Sequence, residues 1–202
     1  MLRTHQSTRT DRLAIVCTHR GVSLALAAAI ALTDHVVHQQ QMPFLAHGLM
    51  DEPCHLATAM IVLGALTRWR GRAPSSRFVW AMLSASVLID LDHLPLELGS
   101  SVLTAGTPRP YTHALWVLVL LTVAAAAARR RHQVSSRARA GMAAGIAAGA
   151  AWGVAAHFFR DVATAPIALW WPVSSASAQV PGYWYLAALL VLATLPPPRP
   201  PP

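Results

Sequence analysis

An apolar stretch in the C-terminal half of the chain reads AGMAAGIAAGAAWGVAAHFF and covers residues 140–159. It holds no acid, arginine or lysine, and its length matches the roughly 20 residues that an α-helix needs to cross a hydrocarbon core about 30 Å thick. Five further apolar stretches lie at residues 21–37, 55–67, 78–94, 113–128 and 183–195. Prolines fall between these stretches or at their ends, as is typical of helix boundaries. The pattern predicts six membrane-spanning helices.

The composition agrees with a membrane protein. The chain has 202 residues, of which 54% are hydrophobic and 12% charged, whereas soluble domains carry about 25% charged residues. So few charges cannot cover a soluble domain, and the apolar content excludes a disordered chain. All 16 basic residues are arginines, but they lie between apolar stretches rather than on one basic face, which argues against a nucleic-acid partner. We therefore expect an all-α, polytopic membrane helical bundle of about six transmembrane helices surrounded by membrane lipid.

The arginines indicate how the bundle is oriented. Under the positive-inside rule, their distribution places both termini in the cytoplasm. Residues 1–20 then form a cytoplasmic segment, residues 21–195 a single membrane-embedded domain, and residues 196–202 a proline-rich tail. Only Arg109 and Arg160 lie in outer connections. The other arginines are Arg3, Arg9, Arg12, Arg20, Arg68, Arg70, Arg72, Arg77, Arg129, Arg130, Arg131, Arg137, Arg139 and Arg199.

The first span has a second interpretation. Four arginines followed by an apolar stretch and Ala29-Ile30-Ala31 are typical of a signal peptide with a small-residue cleavage site. The polar residues Asp34 and His35 follow at once, which favours an uncleaved membrane anchor. Cleavage would leave five spans and would not change the remaining topology.

Acids and histidines gather at the ends of the spans that face away from most arginines. An ionisable group inside a membrane is costly, so such a gathering marks a candidate functional site. Several buried carboxylates are most simply neutralised by a divalent cation. The residues on this outer side are Asp34, Asp51, Glu52, Asp90, Asp92, Glu97, Asp161, His35, His38, His47, His55, His93, His113 and His157.

His157 and Asp161 are four residues apart and therefore share one face of the fifth span, about 6 Å from each other. A histidine and a carboxylate at that spacing can bind one metal ion, and they can equally form a simple hydrogen-bonded pair. Gly149 and Gly153 precede them on the same face, where small residues let a neighbouring backbone approach closely. We interpret this face as a packing groove that positions the pair.

Asp90, Asp92 and His93 end the third span. In a regular helix Asp90 and His93 lie about 60° apart and can face one ion, whereas Asp90 and Asp92 lie about 200° apart and cannot. Both carboxylates reach one ion only if the helix unwinds at Asp92. Two acids near the negative end of a helix dipole are unfavourable without a cation, so we interpret them as ligands. Pro95 disfavours helix at Leu94 and is expected to end the span.

Two more histidines are expected to open spans. His55 follows Pro53, which suits a first helical position, and Asp51 and Glu52, which suit a helix cap. His113 follows Thr112, which suits the N-cap of the fourth span. Asp34, His35, His38, His47 and Asp51 receive no predicted role in the site.

Four motifs follow one another along the chain: Asp90-Leu91-Asp92-His93-Leu94-Pro95, Arg109-Pro110-Tyr111-Thr112-His113, His157-Phe158-Phe159-Arg160-Asp161-Val162-Ala163-Thr164 and Trp170-Trp171-Pro172. In order and spacing they resemble the bacterial membrane-bound metal-dependent hydrolases of the YdjM-like group, over residues 51–173. The resemblance implies a multi-pass protein of the bacterial inner membrane with a metal-dependent hydrolytic activity. The family pattern also has an upstream histidine, which His55 matches best. His19 is a second candidate, but the predicted topology places it on the wrong side.

These observations predict a hydrolase that acts at the outer membrane face. Metal-activated water would attack a phosphoester or an acyl ester. A membrane lipid is one candidate substrate. Asp90 or Asp92 would be the general base, and Arg109 or Arg160 would neutralise a phosphate. Mixed nitrogen and oxygen ligands favour zinc or manganese, as one or two ions. The predicted metal ligands are His55, Asp90, Asp92, His93, His113, His157 and Asp161.

Two alternatives stay open. A metal or proton transporter also needs acids and histidines inside the membrane, but it would continue them towards the cytoplasmic half, where the spans are almost purely apolar. A non-catalytic membrane protein would use the same residues to hold a structural metal.

Overall fold

The structure is a computed structural model. It describes residues 9–40, 44–104, 107, 109–135 and 138–196, without the side chains of residues 9, 11, 38, 44 and 45. The start of the predicted cytoplasmic segment, the tail from residue 197 onwards and the side chain of His38 lie outside this description.

Helices form at all six of the predicted apolar stretches, and the described residues hold no β-strand beyond one isolated bridge between Ile167 and Ala178. The expectation of an all-α bundle is therefore confirmed. The helices are α1 (Arg9–Thr18), α2 (Arg20–Gln39), α3 (Phe44–Arg70), α4 (Ser76–Leu88), α5 (Leu94–Glu97), α6 (Leu115–Ser135), α7 (Ala138–Thr164) and α8 (Gly182–Thr194), with a 3₁₀ turn (Ile89–His93) between α4 and α5.

Four segments are long and apolar enough to cross a membrane. They are Arg20–Val37, Ala46–Arg70, Ser76–Glu97 and Ala138–Thr164. Helix α8 is apolar but has only 13 residues, and the last turns of α6 carry three consecutive arginines. A helical membrane protein is therefore established, whereas the number of six spans stays a prediction.

Helix α3 runs through the middle of the bundle and joins two hydrophobic clusters. On one side, Leu63 of α3 packs with Val79 and Met82 of α4. On the other side, Ile61 packs with Ile30 of α2 and Leu189 of α8, and all three are fully buried. Helix α2 thus contributes Ala27 and Ile30 of its middle turns to this core.

The predicted close approach of a neighbouring backbone to the glycine face of α7 is confirmed. A Cβ atom at Gly149 would overlap the carbonyl oxygen of Phe78, and one at Gly153 would overlap that of Met82. Both carbonyls belong to α4, so the two helices touch backbone to backbone. Gly145 is different, since a Cβ there would meet only the Ser75 hydroxyl at an ordinary 3.4 Å.

Helix α1 and Arg68 were not foreseen as parts of the core. Helix α1 packs on α3 where the carbonyl of Cys17 touches Gly64. Burial raises the pKa of the Cys17 thiol to about 11, so the thiol packs as a neutral group. The Arg68 guanidinium, predicted simply to face the cytoplasm, is buried and donates to carbonyls at two helix ends. These carbonyls belong to Cys17 and Thr18 of α1 and to Leu192 and Leu195 of α8. One side chain thus satisfies backbone acceptors that each helix end leaves free.

Three helix boundaries predicted from sequence are wrong. Helix α3 begins at Phe44, so Asp51 and Pro53 lie inside it instead of capping it. The interior position of Asp51 is tolerated because its carboxylate contacts the Arg160 guanidinium of α7. Helix α5 begins at Leu94 despite Pro95. Pro95 lies in the first turn, where a backbone N–H would have no partner within the helix, so proline is tolerated there. Thr112 is not a cap, because α6 starts at Leu115 and the Thr112 hydroxyl donates to Asp92.

Candidate metal centre

Four parts of the chain meet at one end of the bundle. They are the third turn of α3, the 3₁₀ turn after α4, the loop before α6 and the last turns of α7. Along α7, Arg139 and Asp161 are separated by about 33 Å at 1.5 Å per residue, so the site and the arginine-rich helix ends lie far apart. All seven predicted ligands are in this one place: His55, Asp90, Asp92, His93, His113, His157 and Asp161.

Four of these residues form a first group, Asp90, Asp92, His93 and His113. His93 Nδ1 lies 3.0 Å from Asp92 Oδ1 and 3.4 Å from Asp90 Oδ1. His113 Nε2 lies 3.0 Å from Asp90 Oδ1, and its Nδ1 lies 3.3 Å from Asp92 Oδ2. The sequence left open whether both aspartates could face one centre. The chain forms a 3₁₀ turn here, and at three residues per turn Asp90 and Asp92 lie about 120° apart by the shorter way round instead of about 160°, so that both reach His93 and His113.

The other three residues form a second group, His55, His157 and Asp161, and their side chains are fully buried. The rings of His55 and His157 stack with centroids 3.9 Å apart. His157 Nε2 lies 3.1 Å from Asp161 Oδ2, as the four-residue spacing predicted, and His55 Nε2 lies 3.7 Å from Asp161 Oδ1. Three ligand-type atoms thus face one another across two helices.

Asp90 joins the two groups. Its Oδ1 is 3.0 Å from His113 Nε2 of the first group and 3.3 Å from His157 Nε2 of the second. The two histidine nitrogens are themselves 3.2 Å apart. The groups are therefore adjacent halves of one cluster, with a carboxylate between them.

Neighbouring groups orient two of the side chains. The carbonyl of Ser86 accepts a hydrogen bond of 2.9 Å from His157 Nδ1, which leaves the Nε2 lone pair directed at the cluster. The Thr112 hydroxyl donates to Asp92 in the same way. Outer partners of this kind fix the tautomer and the rotamer of metal ligands in many proteins.

Arg160, one of the two arginines predicted to neutralise a phosphate, is instead buried in an ion pair. Its side chain is 2% exposed and its guanidinium contacts two carboxylates, Asp34 at 2.7 Å and, through Nε, Asp51 at 3.0 Å. Asp51 in turn lies 3.3 Å from His55 Nε2. Arg160 therefore ties α7 to α2 and α3 and helps to hold His55.

Arg109 remains at the site. Its guanidinium lies 3.0 Å from Asp161 Oδ1, and it also lines a neighbouring cavity. The loop that carries it is held by aromatic side chains, because Tyr111 stacks on Trp171 at 4.2 Å and the Trp116 indole donates to the Tyr111 carbonyl. This stacking gives the Trp-Pro motif a structural role in placing the loop.

The residues fit a divalent cation. Ligands at about 2.1 Å around a tetrahedral ion lie about 3.4 Å from one another, close to the 3.0–3.9 Å separations found here. Among the described residues, several buried ligand atoms form no well-aligned hydrogen bond, among them both oxygens of Asp161 and one of Asp92, although Arg109 and histidines lie 3.0–3.5 Å from them. Such groups are costly to bury unless something satisfies them, and a cation would do so.

The remaining predicted outer residues lie around the cluster rather than in it. Asp34 contacts Arg160, and His35 Nε2 lies 3.2 Å from Gln39 Nε2. His47 and Glu52 line the cavity. Glu52 has a buried oxygen without a hydrogen-bond partner and belongs to neither ligand group. The only local indication of its place beside the cluster is its position three residues before His55.

The fold and the cluster define a helical membrane protein with a buried histidine–carboxylate centre. Residues 50–197 match the family described as YdjM inner membrane protein. The chain belongs to this family, and the resemblance stated from its motifs is confirmed at that level. Comparison with curated proteins and with solved structures gives no match.

Proposed function

We propose that this protein is an integral-membrane, metal-dependent hydrolase. The observation that carries the proposal is the position of Asp90 Oδ1, which lies within 3.3 Å of histidines from both ligand groups. The first group would hold one divalent ion and the second group another, with Asp90 between them. Mixed imidazole and carboxylate ligands favour zinc or manganese over calcium.

A bound ion supplies a water molecule of lowered pKa and polarises a phosphoryl or acyl oxygen. The residues of the chain then have separate tasks. Ser86 and Asp51 keep His157 and His55 oriented through the contacts described above. Arg109 lies at the edge of the cluster and can neutralise an anionic ester oxygen.

Glu52 is the carboxylate best placed to carry the proton. Asp90 and Asp92, the general bases expected from sequence, each contact at least two histidines and are better suited to hold metal. Glu52 shares the cavity wall with Asp90 and has an unpaired buried oxygen. In hydrolysis it would take a proton from water as the new bond to the ester forms, and return it to the leaving oxygen as the old bond breaks.

The positive-inside rule supports an extracytoplasmic site. The ends of α3 and α6 and the start of α7 carry arginines. The ligands lie away from these arginines: His113 just before α6, Asp161 in the last turn of α7 and His55 near the middle of α3. A cytoplasmic position of the arginines therefore implies that the cluster faces outwards.

Metal content tests the proposal directly. We expect detergent-purified wild-type protein to contain one or two equivalents of zinc or manganese by elemental analysis. His157→Ala and Asp90→Ala each remove a ligand and should lose at least one equivalent, because a site short of a ligand binds metal much more weakly.

His19→Ala is the matched control, since His19 is exposed and distant in sequence from the cluster, and its metal content should equal that of wild type. Less than stoichiometric metal in the wild type, or unchanged metal in both ligand variants, would rule out the site. Loss of metal in the control instead would point to His19 as the family histidine.

Glu52→Gln separates proton transfer from metal binding. We expect the metal content to stay at the wild-type value, while hydrolysis of p-nitrophenyl phosphate or a p-nitrophenyl ester falls about 100-fold, as is typical when a proton-transfer group is removed. The exposed Glu97→Gln is the control and should keep full activity. Wild-type rates in Glu52→Gln would exclude this role.

The transporter alternative predicts ionisable groups that continue along the bundle. Of the described residues, the buried ionisable side chains outside the cluster are the free thiols of Cys17 and Cys54, the Tyr185 hydroxyl, which hydrogen-bonds with Thr58, and Arg68, which is held by backbone carbonyls. The distribution therefore favours the hydrolase. Full metal occupancy with no activity on any ester would favour a structural metal.

A further inference from the structure

A cavity of about 520 Å³ opens beside the cluster, between the start of α3 and the end of α4. Its volume is in the range of small-molecule binding sites. One part of its wall is polar and includes Glu52, Asp90 and Arg109. The other part is formed by leucines, so the cavity joins two chemically distinct regions.

The leucines form a lip that faces outwards from the helices. Leu49 is 78% exposed, and Leu88 and Leu91 are each 56% exposed. All three belong to segments that are apolar enough to cross a membrane. An exposed leucine at such a position contacts acyl chains, so the mouth of the cavity is open to lipid rather than to water alone.

The charge of the wall decides which headgroup fits. Three acids on the wall (Asp51, Glu52 and Asp90) outnumber Arg109 and would repel an anion. Divalent ions held by the adjacent ligand groups would reverse this balance. An anionic oxygen in the cavity would then be attracted by both Arg109 and the ions. For this reason the inference rests on the proposed function.

We infer that the cavity binds the phosphate headgroup of a membrane lipid, with its acyl chains leaving over the lip formed by Leu49, Leu88 and Leu91. The substrate class of the hydrolase is then a lipid phosphate ester that enters sideways from the bilayer. A soluble phosphate ester would leave the apolar lip without a partner.

Gly48 offers a way to close the cavity without disturbing the fold. It lines the cavity, and an added Cβ would meet no atom within 4 Å. Gly48→Phe should therefore fold and fill the mouth. Gly21→Phe is the matched control, since Gly21 is also helical with open space around it.

The experiment uses full-length protein in phosphatidylcholine vesicles that contain phosphatidic acid with a photoreactive diazirine on an acyl chain. After irradiation, we expect mass spectrometry to find labels around Leu49, Leu88 and Leu91. Gly48→Phe should lower this labelling about tenfold or more, because the ring excludes methylene groups from the apolar wall, and Gly21→Phe should not. Unlabelled phosphatidic acid should compete, whereas glycerol 3-phosphate should not.

Labels spread evenly over exposed faces such as Leu120 of α6, or equal labelling of Gly48→Phe and wild type, would overturn the lipid cavity. Equal competition by glycerol 3-phosphate would overturn it in favour of a soluble phosphate ester. Labelling confined to the cavity in a metal-loaded protein that hydrolyses no ester would support the lipid site and reject the hydrolase. A protein that binds metal and hydrolyses p-nitrophenyl phosphate, but carries its labels outside the cavity, would support the hydrolase and reject the lipid site.

Discussion

Gly153→Ala is expected to destabilise the protein by about 3 kcal/mol, at the upper end of the usual cost of overpacking. In an exposed helix the same substitution stabilises by about 1 kcal/mol, because alanine is the better helix former. Here the added methyl group would overlap the carbonyl oxygen of Met82 and lie 3.0 Å from the Ala85 side chain. A backbone carbonyl inside α4 cannot move aside, so α7 must shift away from α4.

The shift would also reach the cluster, because the His157 ring is held by the carbonyl of Ser86 on α4. Thermal unfolding in detergent should show a lower transition temperature, and elemental analysis a lower metal content. Gly145→Ala is the control on the same helix, where the Cβ has room and the change should be neutral or stabilising. Equal stability of Gly153→Ala and Gly145→Ala would contradict the close contact.

Arg160→Met is expected to cost about 3–5 kcal/mol, the usual result of removing one partner from a buried ion pair. The guanidinium is 2% exposed and contacts Asp34 and Asp51, whose side chains are 26% and 16% exposed. Methionine keeps much of the volume but leaves two carboxylates without their cation. Since Asp51 lies against His55, the variant should also lose metal from the second ligand group.

Three further variants make this test specific. Arg77→Met removes an exposed arginine and should change stability by less than about 0.5 kcal/mol. Arg160→Lys keeps the charge but not the forked hydrogen bonds, so it should lie between wild type and Arg160→Met. Adding Asp34→Asn to Arg160→Met should restore part of the lost stability, and no recovery would show that the ion pair is not the cause.

Much of the fold follows from local patterns. The apolar stretches correctly predicted the positions of the helices. A chain surrounded by lipid must satisfy its backbone hydrogen bonds internally, and a helix does so within one stretch. The glycines and the His157–Asp161 pair share a face of α7 because helical geometry places residues four apart side by side. These features depend on neighbours in the chain and are therefore visible in the sequence.

The errors have the opposite origin. Pro53 looked like a first helical residue, but the preceding turns of α3 carry Asp51 to a contact with Arg160, 109 residues later in the chain, which no local pattern shows. Thr112 looked like a cap, yet its hydroxyl bonds to Asp92, 20 residues earlier. Arg160 looked free to meet a phosphate because its partner Asp34 lies on a distant helix. Each case involves a partner brought close only by folding.

The amino-acid order was sufficient to indicate a helical membrane protein, its family and the histidines and acids that gather in one cluster, since these depend on composition, short spacings and motif order. Packing alone decided that the residues form two adjacent groups joined by Asp90, that Arg160 is an internal brace and that Glu52 lines the cavity beside the cluster. Distances of a few ångströms between helices arise from how side chains and backbones interlock, and the linear sequence does not encode them in any local signal.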